Sequence, residues 1–482
     1  MTDAMVPSST AAQERAALVA RRLAERRGEF AVLGLARSGC AAARLLRAAG
    51  LAVYASDASS SPTVRDNAAA LEREGVSVHV GGHDLARIAG ASILVVSPGI
   101  PPNAPPILAA QRANVPVVSE VEVALRLQPG LRIIATTGTN GKTTTTALVG
   151  HLLRALGHDA VDVGNIGTPV SEVALRDTPP VWASIELSSF QLHDTPGILP
   201  DVGILTTLSP DHLDRYPDIA SYYADKALLF ANASVSSKWV VSADNVDVAA
   251  MARHVAGRVL RFSTERTDVD AYYSRADGML HVLGAPLVSR DALSLAGDHN
   301  VANALAALLA VMIADPRHAT DAARAALAHA LTTFHALPHR LQPVADQHGV
   351  LWLNDSKATN VASTQVALAG MTRPTVVLLG GRHKGEPYTS LVPELARVAK
   401  VVLAYGEAGA RITADLEAPL HGRVPVEHMG DASFVDIMAR ARQHAAPGDV
   451  VLLSPACSSY DMFANYEERG NTFAQLAQGK KP

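Results

Sequence analysis

Lysine is scarce in this 482-residue chain: only eight of its 42 basic side chains are lysine, and the rest are arginine. Where arginine serves almost everywhere as a plain positive charge, a lysine kept inside a Gly- or Asp-rich motif implies a need for a point charge or a titratable amine. Lys142, Lys226, Lys357 and Lys384 stand in such settings, whereas Lys238, Lys400, Lys480 and Lys481 read as surface charge. Cysteine is almost absent. Cys40 and Cys457 are too far apart for a metal or redox spacing, so no disulfide framework is expected and a reducing cytoplasm is. There is no basic surplus, with charged residues at 18% and a formal net charge of -4, which argues against nucleic acid as a partner. Long apolar runs are missing too. The longest, "VANALAALLAVMIA", is too short for a membrane span, and charges from Glu14 to Arg27 interrupt what would be the core of a secretion signal. The expectation is a cytoplasmic protein, monomeric, that holds small anionic substrates at local sites.

Length sets the next bound. At about 150 residues per domain the chain divides into three, and apolar runs alternating with helical patterns give three α/β blocks. The expected fold class is α/β with domains at 1–128, 129–336 and 337–482. The first and third are expected to be Rossmann-like, and the central one to hold a mainly parallel sheet of the P-loop type. Residues near 126–131 and the stretch "TTFHALPHRLQ" read as linkers.

The first block opens with "FAVLGLARSGCAAARLLRAAGLAVYASD", a strand, turn, helix and strand ending at Asp57. It approaches a dinucleotide fingerprint, but Ala36 replaces the middle glycine, so the pattern is G-x-A-x-x-G. Asp57 suits a ribose or a uracil edge as well as a dinucleotide. "VVSPGIPP" ends a later strand in a Ser-Pro-Gly turn that places backbone donors beside the same crevice.

The second block carries "IIATTGTNGKTTTTALVG". A strand running into a Gly-containing loop, with Lys142 and Thr143 opening a helix, aims backbone N–H groups and a helix N-terminus at one point and so favours a phosphate. Lys142 would reach the β/γ-phosphates and the Thr143 hydroxyl would ligate Mg²⁺. Thr136 stands where the first glycine of G-x-x-x-x-G-K-[ST] belongs, which makes an ordinary P-loop NTPase less fitting than phosphate binding as such. Glu186 follows the apolar "VWASI", where a carboxylate would hold Mg²⁺ directly or through water. His212, flanked by Asp211 and Asp214, could equally be a turn residue, and Lys226 could be a surface lysine on an amphipathic helix. Asn300 and Asn303 suit a purine edge, although N-capping by Asp298 or Asn300 competes. The third block ends its strands in polar loops carrying Asp355, Lys357, Thr359, Lys384, Ser459 and Tyr466, where ligands of an open parallel sheet bind.

Taken together, "TGTNGKT", "GNIG", "ELSSFQL", "DHLDRY", "LPHR", "NDSKATN", "GGRHKG" and "SPACSSYDMFANYEERG" resemble the Mur ligase family in order and spacing. That family makes amide bonds at the expense of ATP and builds the peptide stem of peptidoglycan. The resemblance covers all three blocks, and "GLARSG", "SPGI", "ELSSFQL" and "SPACSSYDMF" together resemble the member that adds D-glutamate to UDP-N-acetylmuramoyl-L-alanine. It implies UDP-substrate binding by Arg37, Ser38, Asp57, Ser97 and Gly99, with Asn165, Ser188 and Gln191 on the muramoyl-alanyl portion. ATP would lie on Gly138, Thr139, Asn140, Gly141, Lys142, Thr143 and Thr144, with Asn300 and Asn303 near adenine and Arg340 and Asp355 closing over the nucleotide. D-Glutamate would sit on Lys357, Thr359, Lys384, Ser459 and Tyr466. Two Mg²⁺ sites are implied, one using Thr143 and the other Glu186, His212 and a carbamylated Lys226. Another Mur-type ligase, a folylpolyglutamate-type ligase and a nucleotide-binding scaffold remain as alternatives.

Overall fold

The computed structural model describes residues 9–480 apart from 214, 294, 296 and 336. Its first sheet has the order β3-β2-β1-β4-β5, from β1 (Glu29–Leu33), β2 (Ala52–Asp57), β3 (Ser77–Val80), β4 (Ile93–Val96) and β5 (Val117–Ser119). All four pairings are parallel. β1 and β4 are neighbours on either side of the point where strand order reverses, so the crevice beyond their carboxyl ends is the place for a ligand.

The second sheet follows along the chain with β6 (Arg132–Thr137), β7 (Ala160–Gly164), β8 (Trp182–Glu186), β9 (Val202–Leu205), β10 (Lys238–Ser242) and β11 (Arg258–Ser263). It is completed by β12 (Ala271–Ser274), β13 (Met279–Val282) and β14 (Ala285–Ser289). Its order is β14-β13-β12-β11-β10-β9-β6-β8-β7. The sheet is parallel up to β12 and antiparallel through β13 and β14. The apolar run "VANALAALLAVMIA" belongs to the helix Asp298–Ala314, whose Leu305, Leu308, Leu309 and Val311 are fully buried. It is a core helix, and no helix among the described residues is long and apolar enough to cross a membrane.

The third sheet is β15-β16-β20-β17-β18-β19, from β15 (Gln342–Gln347), β16 (Val350–Asn354), β17 (Thr375–Gly380), β18 (Ala399–Tyr405), β19 (Val426–His428) and β20 (Val450–Leu453). Only β15 runs antiparallel to its neighbour. Alternate residues of β17 feed the two layers of core: Val377 and Leu379 pack with Leu395 and Leu416, while Val376 and Leu378 pack with Ile437 and Phe473. A strand covered on both faces is necessarily apolar throughout, which is why "TVVLLG" shows no alternation.

The chain forms two compact units. The first holds the first two sheets, in the described residues up to Leu208 with Ala220–Leu293 and Val301–Thr333. The second holds the third sheet, with Ser209–Ile219, Ser294–Asn300 and the chain from Phe334 onward. Within the first unit the two sheets are joined through the helix Glu120–Leu127, which occupies part of the stretch read as a linker. The Glu120 carboxylate accepts hydrogen bonds from Val170 N (3.2 Å), Ser171 N (3.0 Å) and Ser171 Oγ (2.7 Å). Glu122 accepts from Gly197 N (2.8 Å) and pairs with Arg126 (2.9 Å). Both glutamates are almost wholly buried, which is tolerable only because their oxygens are matched by donors. Burial nonetheless pushes the Glu120 carboxyl above the ordinary range.

Candidate functional site

Beyond β1 the chain turns at Gly34 (φ 94). The side chain of Asp57 organises that turn, accepting from Leu35 N (2.8 Å) and, from its own loop, Ser59 N (2.8 Å). Gly39 backs onto the Gly34 carbonyl so closely that a Cβ would overlap it. The first and last glycines of the imperfect fingerprint thus do their usual work of tight turn and close helix packing. Ser97, at the end of β4, lies over both glycines and donates its backbone N–H to Leu33 O (3.1 Å). Ser38 is half-buried and Gly99 exposed nearby. Arg37 opens the helix Arg37–Ala48 but is engaged inside the unit, with two 2.8 Å contacts to the Glu172 carboxylate and one to Gly167 O at 3.2 Å.

The phosphate loop leaves β6 at Thr137. Thr136, the departure from the P-loop pattern, is a buried strand residue registered between Glu186 and Ile204, so the loop itself begins at Gly138. Gly138 (φ 144) and Gly141 (φ 85) take backbone conformations that side chains resist. A Cβ on Gly138 would overlap Thr206 Oγ1, and one on Gly141 would lie 2.5 Å from Asn303 Oδ1. Gly141 then caps the helix Lys142–Ala155. Thr139 N donates to Thr207 O (2.7 Å), Asn140 N to Thr207 Oγ1 (3.0 Å), and Thr206 Oγ1 to Asn140 O (2.6 Å). Lys142 Nζ folds back on Thr139 O at 2.7 Å, while Thr143 and Thr144 are buried.

Lys226 is no surface lysine. It is 1% exposed, donates to Gly138 O at 2.8 Å and lies 4.8 Å from the Tyr222 ring centroid. Asn303 is spent beneath the loop, accepting from Thr145 Oγ1 at 3.2 Å. The helix begins at Asp298, so Asp298 and Asn300 lie within its first turn rather than capping it from outside. Glu186, buried at the end of β8, accepts from Asn165 Nδ2 at 2.9 Å. Ser188 and Gln191 form a capping box on the helix Ser189–His193, a structural duty that S-x-x-Q announces in the sequence. Hard oxygen donors suit Mg²⁺, and the Thr143 hydroxyl in the first turn of the helix Lys142–Ala155 and the Glu186 carboxylate at the end of β8 are donors of that kind. Thr206 and Thr207, which hold the loop, carried no motif by which to find them.

In the second unit three neighbouring parallel strands, β16, β20 and β17, release their loops at one edge. Arg469, fully buried, joins them: it donates to Ser356 Oγ (2.9 Å) and Ser356 O (2.8 Å), to Cys457 O (3.2 Å) and to Gly380 O (3.5 Å). Sequence reasoning missed this residue, although an arginine in "YEERG" next to a helix-packing glycine was its signal. Asp355 accepts from Leu341 N (3.3 Å) and Ser454 Oγ (2.8 Å). Burial pushes its carboxyl up to about 7, opposed by the Ser454 hydroxyl and the Arg340 guanidinium. Lys357 Nζ lies 4.9 Å from the Tyr466 ring centroid, and the backbone N–H of Thr359 donates to Lys357 O (2.9 Å).

Asp211 is the hub of a second cluster, with Lys384 Nζ at 3.3 Å, Asn360 Nδ2 at 2.9 Å and His212 Nε2 at 3.7 Å. His212 sits in a turn with φ 56; Asp214, its other flank, lies outside the described residues. Glu386, close by, is pushed up to about 7 by burial first and by Asp211 second. Ser459 is buried in the loop after β20, where the neighbouring Ser458 exchanges backbone hydrogen bonds with Arg382. Neither Asn360 nor Glu386 was singled out in the sequence. Both belong to runs dominated by a lysine.

Models of known families match three consecutive stretches: "Mur ligase MurD-like, N-terminal domain" over residues 28–119, "Mur ligase middle domain" over 136–311, and "Mur ligase, glutamate ligase domain" over 339–457. A UDP-N-acetylmuramoylalanine–D-glutamate ligase of Anaeromyxobacter dehalogenans is 42% identical, covering 92% of this chain and 96% of that protein. One of Salinibacter ruber is 40% identical over 94% of this chain and 98% of its own. The MurF ligase of Thermotoga maritima, solved in complex with ADP, shares the fold at a TM-score of 0.57 and 16% identity, covering 89% of this chain and 95% of that one. With domain matches in the order of the three sheets and relatives aligned from end to end, the chain belongs to the Mur ligase family.

Proposed function

We propose that this chain is an ATP-dependent ligase that joins D-glutamate to UDP-N-acetylmuramoyl-L-alanine in the synthesis of peptidoglycan precursors. The observation that carries the reading is the near full-length similarity to ligases of that name, 42% and 40% identical. The proposed division of labour follows three domains, 1–128 for the UDP substrate, 129–336 for ATP and 337–482 for the amino acid. The enzyme is proposed to act as a cytoplasmic monomer.

The chemistry starts from a poor electrophile. A carboxylate does not condense with an amine, so the L-alanyl carboxylate first attacks the γ-phosphoryl group of ATP and ADP departs. Lys142, at the N-terminus of the helix Lys142–Ala155, neutralises charge developing on the phosphoryl oxygens, the main protein contribution to such transfers. The amine of D-glutamate then attacks the acyl phosphate, a tetrahedral intermediate forms, and phosphate leaves with the amide made. In this reading Arg37, Ser38, Asp57, Ser97 and Gly99 hold the uridine part, and Asn165, Ser188 and Gln191 the muramoyl-alanyl part. Asn300 and Asn303 lie toward adenine, and Arg340 and Asp355 toward the nucleotide. Lys357, Thr359, Lys384, Ser459 and Tyr466 hold D-glutamate. Mg²⁺, when bound, supplies positive charge to the phosphates, through Thr143 and through Glu186 with a carbamate on Lys226; the family resemblance adds His212. The burial of Lys226, with Nζ 2.8 Å from Gly138 O, supports a place for it against the phosphate loop rather than on the surface.

The test is phosphate release from ATP with UDP-N-acetylmuramoyl-L-alanine, comparing D-glutamate, L-glutamate and no amino acid. Release that requires the nucleotide substrate and D-glutamate together is expected. Release with a folate in its place, or none with any acceptor, would overturn the reading.

A further inference from the structure

Two buried side chains in the second unit have no part in the chemistry above, yet they lie between the loops that carry Lys384 and Ser459. Tyr388 is 1% exposed and Cys457 is 0% exposed. The Tyr388 hydroxyl is 2.9 Å from His383 Nδ1 and 2.9 Å from Cys457 Sγ. A phenol donates one hydrogen bond and accepts another, so the three groups form one continuous chain. His383 immediately precedes Lys384, and Cys457 stands two residues before Ser459. The chain therefore bridges the loop after β17 to the loop after β20.

A second link runs alongside it. Arg382 N donates to Ser458 O (2.9 Å) and Ser458 N donates to Arg382 O (3.1 Å), one rung of antiparallel pairing outside any strand. The backbone rung fixes the two loops at one point, and Arg469, donating to Gly380 O (3.5 Å) and Cys457 O (3.2 Å), holds them at another. The side-chain chain adds a third tie, the one that starts from the residue next to Lys384. Tyr388 is itself anchored, because its backbone N–H donates to Asp415 Oδ2 at 3.0 Å and it opens the short helical turn Tyr388–Leu391.

From this geometry we infer that His383, Tyr388 and Cys457 are positioning residues that set the separation between Lys384 and Ser459, and through it the length of dicarboxylate the site accepts. The inference rests on the proposal that these two residues hold D-glutamate. D-Glutamate differs from D-aspartate by one methylene, so a site that reads both carboxylates needs its two ends at a fixed distance. The chain has the character of a fixed strut rather than an acid–base relay. Burial pushes the Cys457 thiol up to about 12 and raises the Tyr388 phenol well above its usual range, so both stay neutral hydrogen-bonding groups at working pH.

The decisive variant is Tyr388→Phe, which keeps the ring in the core and deletes only the hydroxyl. Expected is a rise of about 10-fold in KM for D-glutamate, with KM for ATP and for the UDP substrate unchanged and kcat at saturating D-glutamate within about threefold. The preference for D-glutamate over D-aspartate should fall with it. Cys457→Ser, which keeps a donor and acceptor, should stay near the parent in KM for D-glutamate, whereas Cys457→Ala should follow Tyr388→Phe. This pair also decides the matter should Tyr388→Phe fail to fold. If the variants lose thermal stability while KM for D-glutamate and the acid preference stay at parent values, the groups are merely structural and the inference falls. Lys384→Ala separates the two levels: no change in its KM for D-glutamate would remove the assigned glutamate site itself, while a large rise there beside an unaffected Tyr388→Phe would sink the positioning role alone.

Discussion

Lys142 and Lys226 both point at carbonyls of the loop they serve, Thr139 O and Gly138 O, and substitution should tell them apart. Lys142→Ala is expected to lower turnover by roughly 10²–10³-fold, since it removes charge from the phosphoryl group in flight, with an unchanged melting temperature because the residue is only partly buried. Lys226→Ala should abolish ligation as well, but acetate, which can fill the vacated space with a carboxylate, is expected to restore a measurable fraction. Acetate that restores nothing, together with an unmodified amine by mass analysis of the fully active enzyme, would remove the carbamate. Asp355 gives a pH-dependent prediction. Its carboxyl titrates near 7 in the fold because it is buried and near 3.9 when unfolded, so between those values the folded protein holds the extra proton. Stability from this group is therefore greatest at low pH and is lost as pH rises through that window, by roughly 2–4 kcal/mol. Asp355→Asn should raise the melting temperature more at pH 8 than at pH 5. Residue-level duties were the least legible part of the sequence: the type and spacing of Lys226 marked it, but nothing local distinguishes a helix lysine facing water from one facing a glycine loop.

Elements were read more readily. The strands before the glycine turns and the apolar strands of the third sheet announce themselves by Val, Ile and Leu runs, and the helix Lys142–Ala155 by the Gly-Lys-Thr loop that opens it. What pattern cannot show is an element whose meaning is its partner. The helix Glu120–Leu127 runs into the stretch near 126–131 that reads as a linker from its polar and Pro-containing residues, and two glutamates in its first turn look like ordinary N-terminal charge. Their donors lie about 50 and 75 residues away in sequence. Glu120→Ala would strand the buried Val170 N and Ser171 N and leave the Ser171 hydroxyl only its 3.4 Å contact to Glu120 O, a loss of roughly 2–4 kcal/mol by denaturant unfolding. Glu120→Gln, which can still accept, should cost less. An equal and negligible effect from both would show that water replaces the carboxylate there. β12 to β14 and β15 escaped notice for another reason: AYYS, MLHV, APLVS and QPVADQ are short and show neither an unbroken apolar run nor a period of two.

At the scale of the molecule, class and family were legible because chemistry-bearing loops at the ends of parallel strands are contiguous in sequence. The grouping of the first two sheets into one unit was not, since it depends on pairings such as Arg37 with Glu172 and Ser119 with Asp194 that only the fold brings about. The second unit has a comparable long-range tie in Arg469, whose single guanidinium serves the loops after β16, β17 and β20. A loop held by its own contacts can open by itself; loops sharing one cation cannot. Their backbone amides should therefore trade hydrogen for deuterium in step: Ser356, Arg382 and Ser458 are expected to exchange at one common rate in the parent protein. In Arg469→Lys, where a lone ammonium cannot span three carbonyls, those rates should separate. Different rates in the parent would mean that the loops open independently. A common rate would make the edge of the third sheet a single kinetic object, in which ordering one loop slows the exchange of the other two.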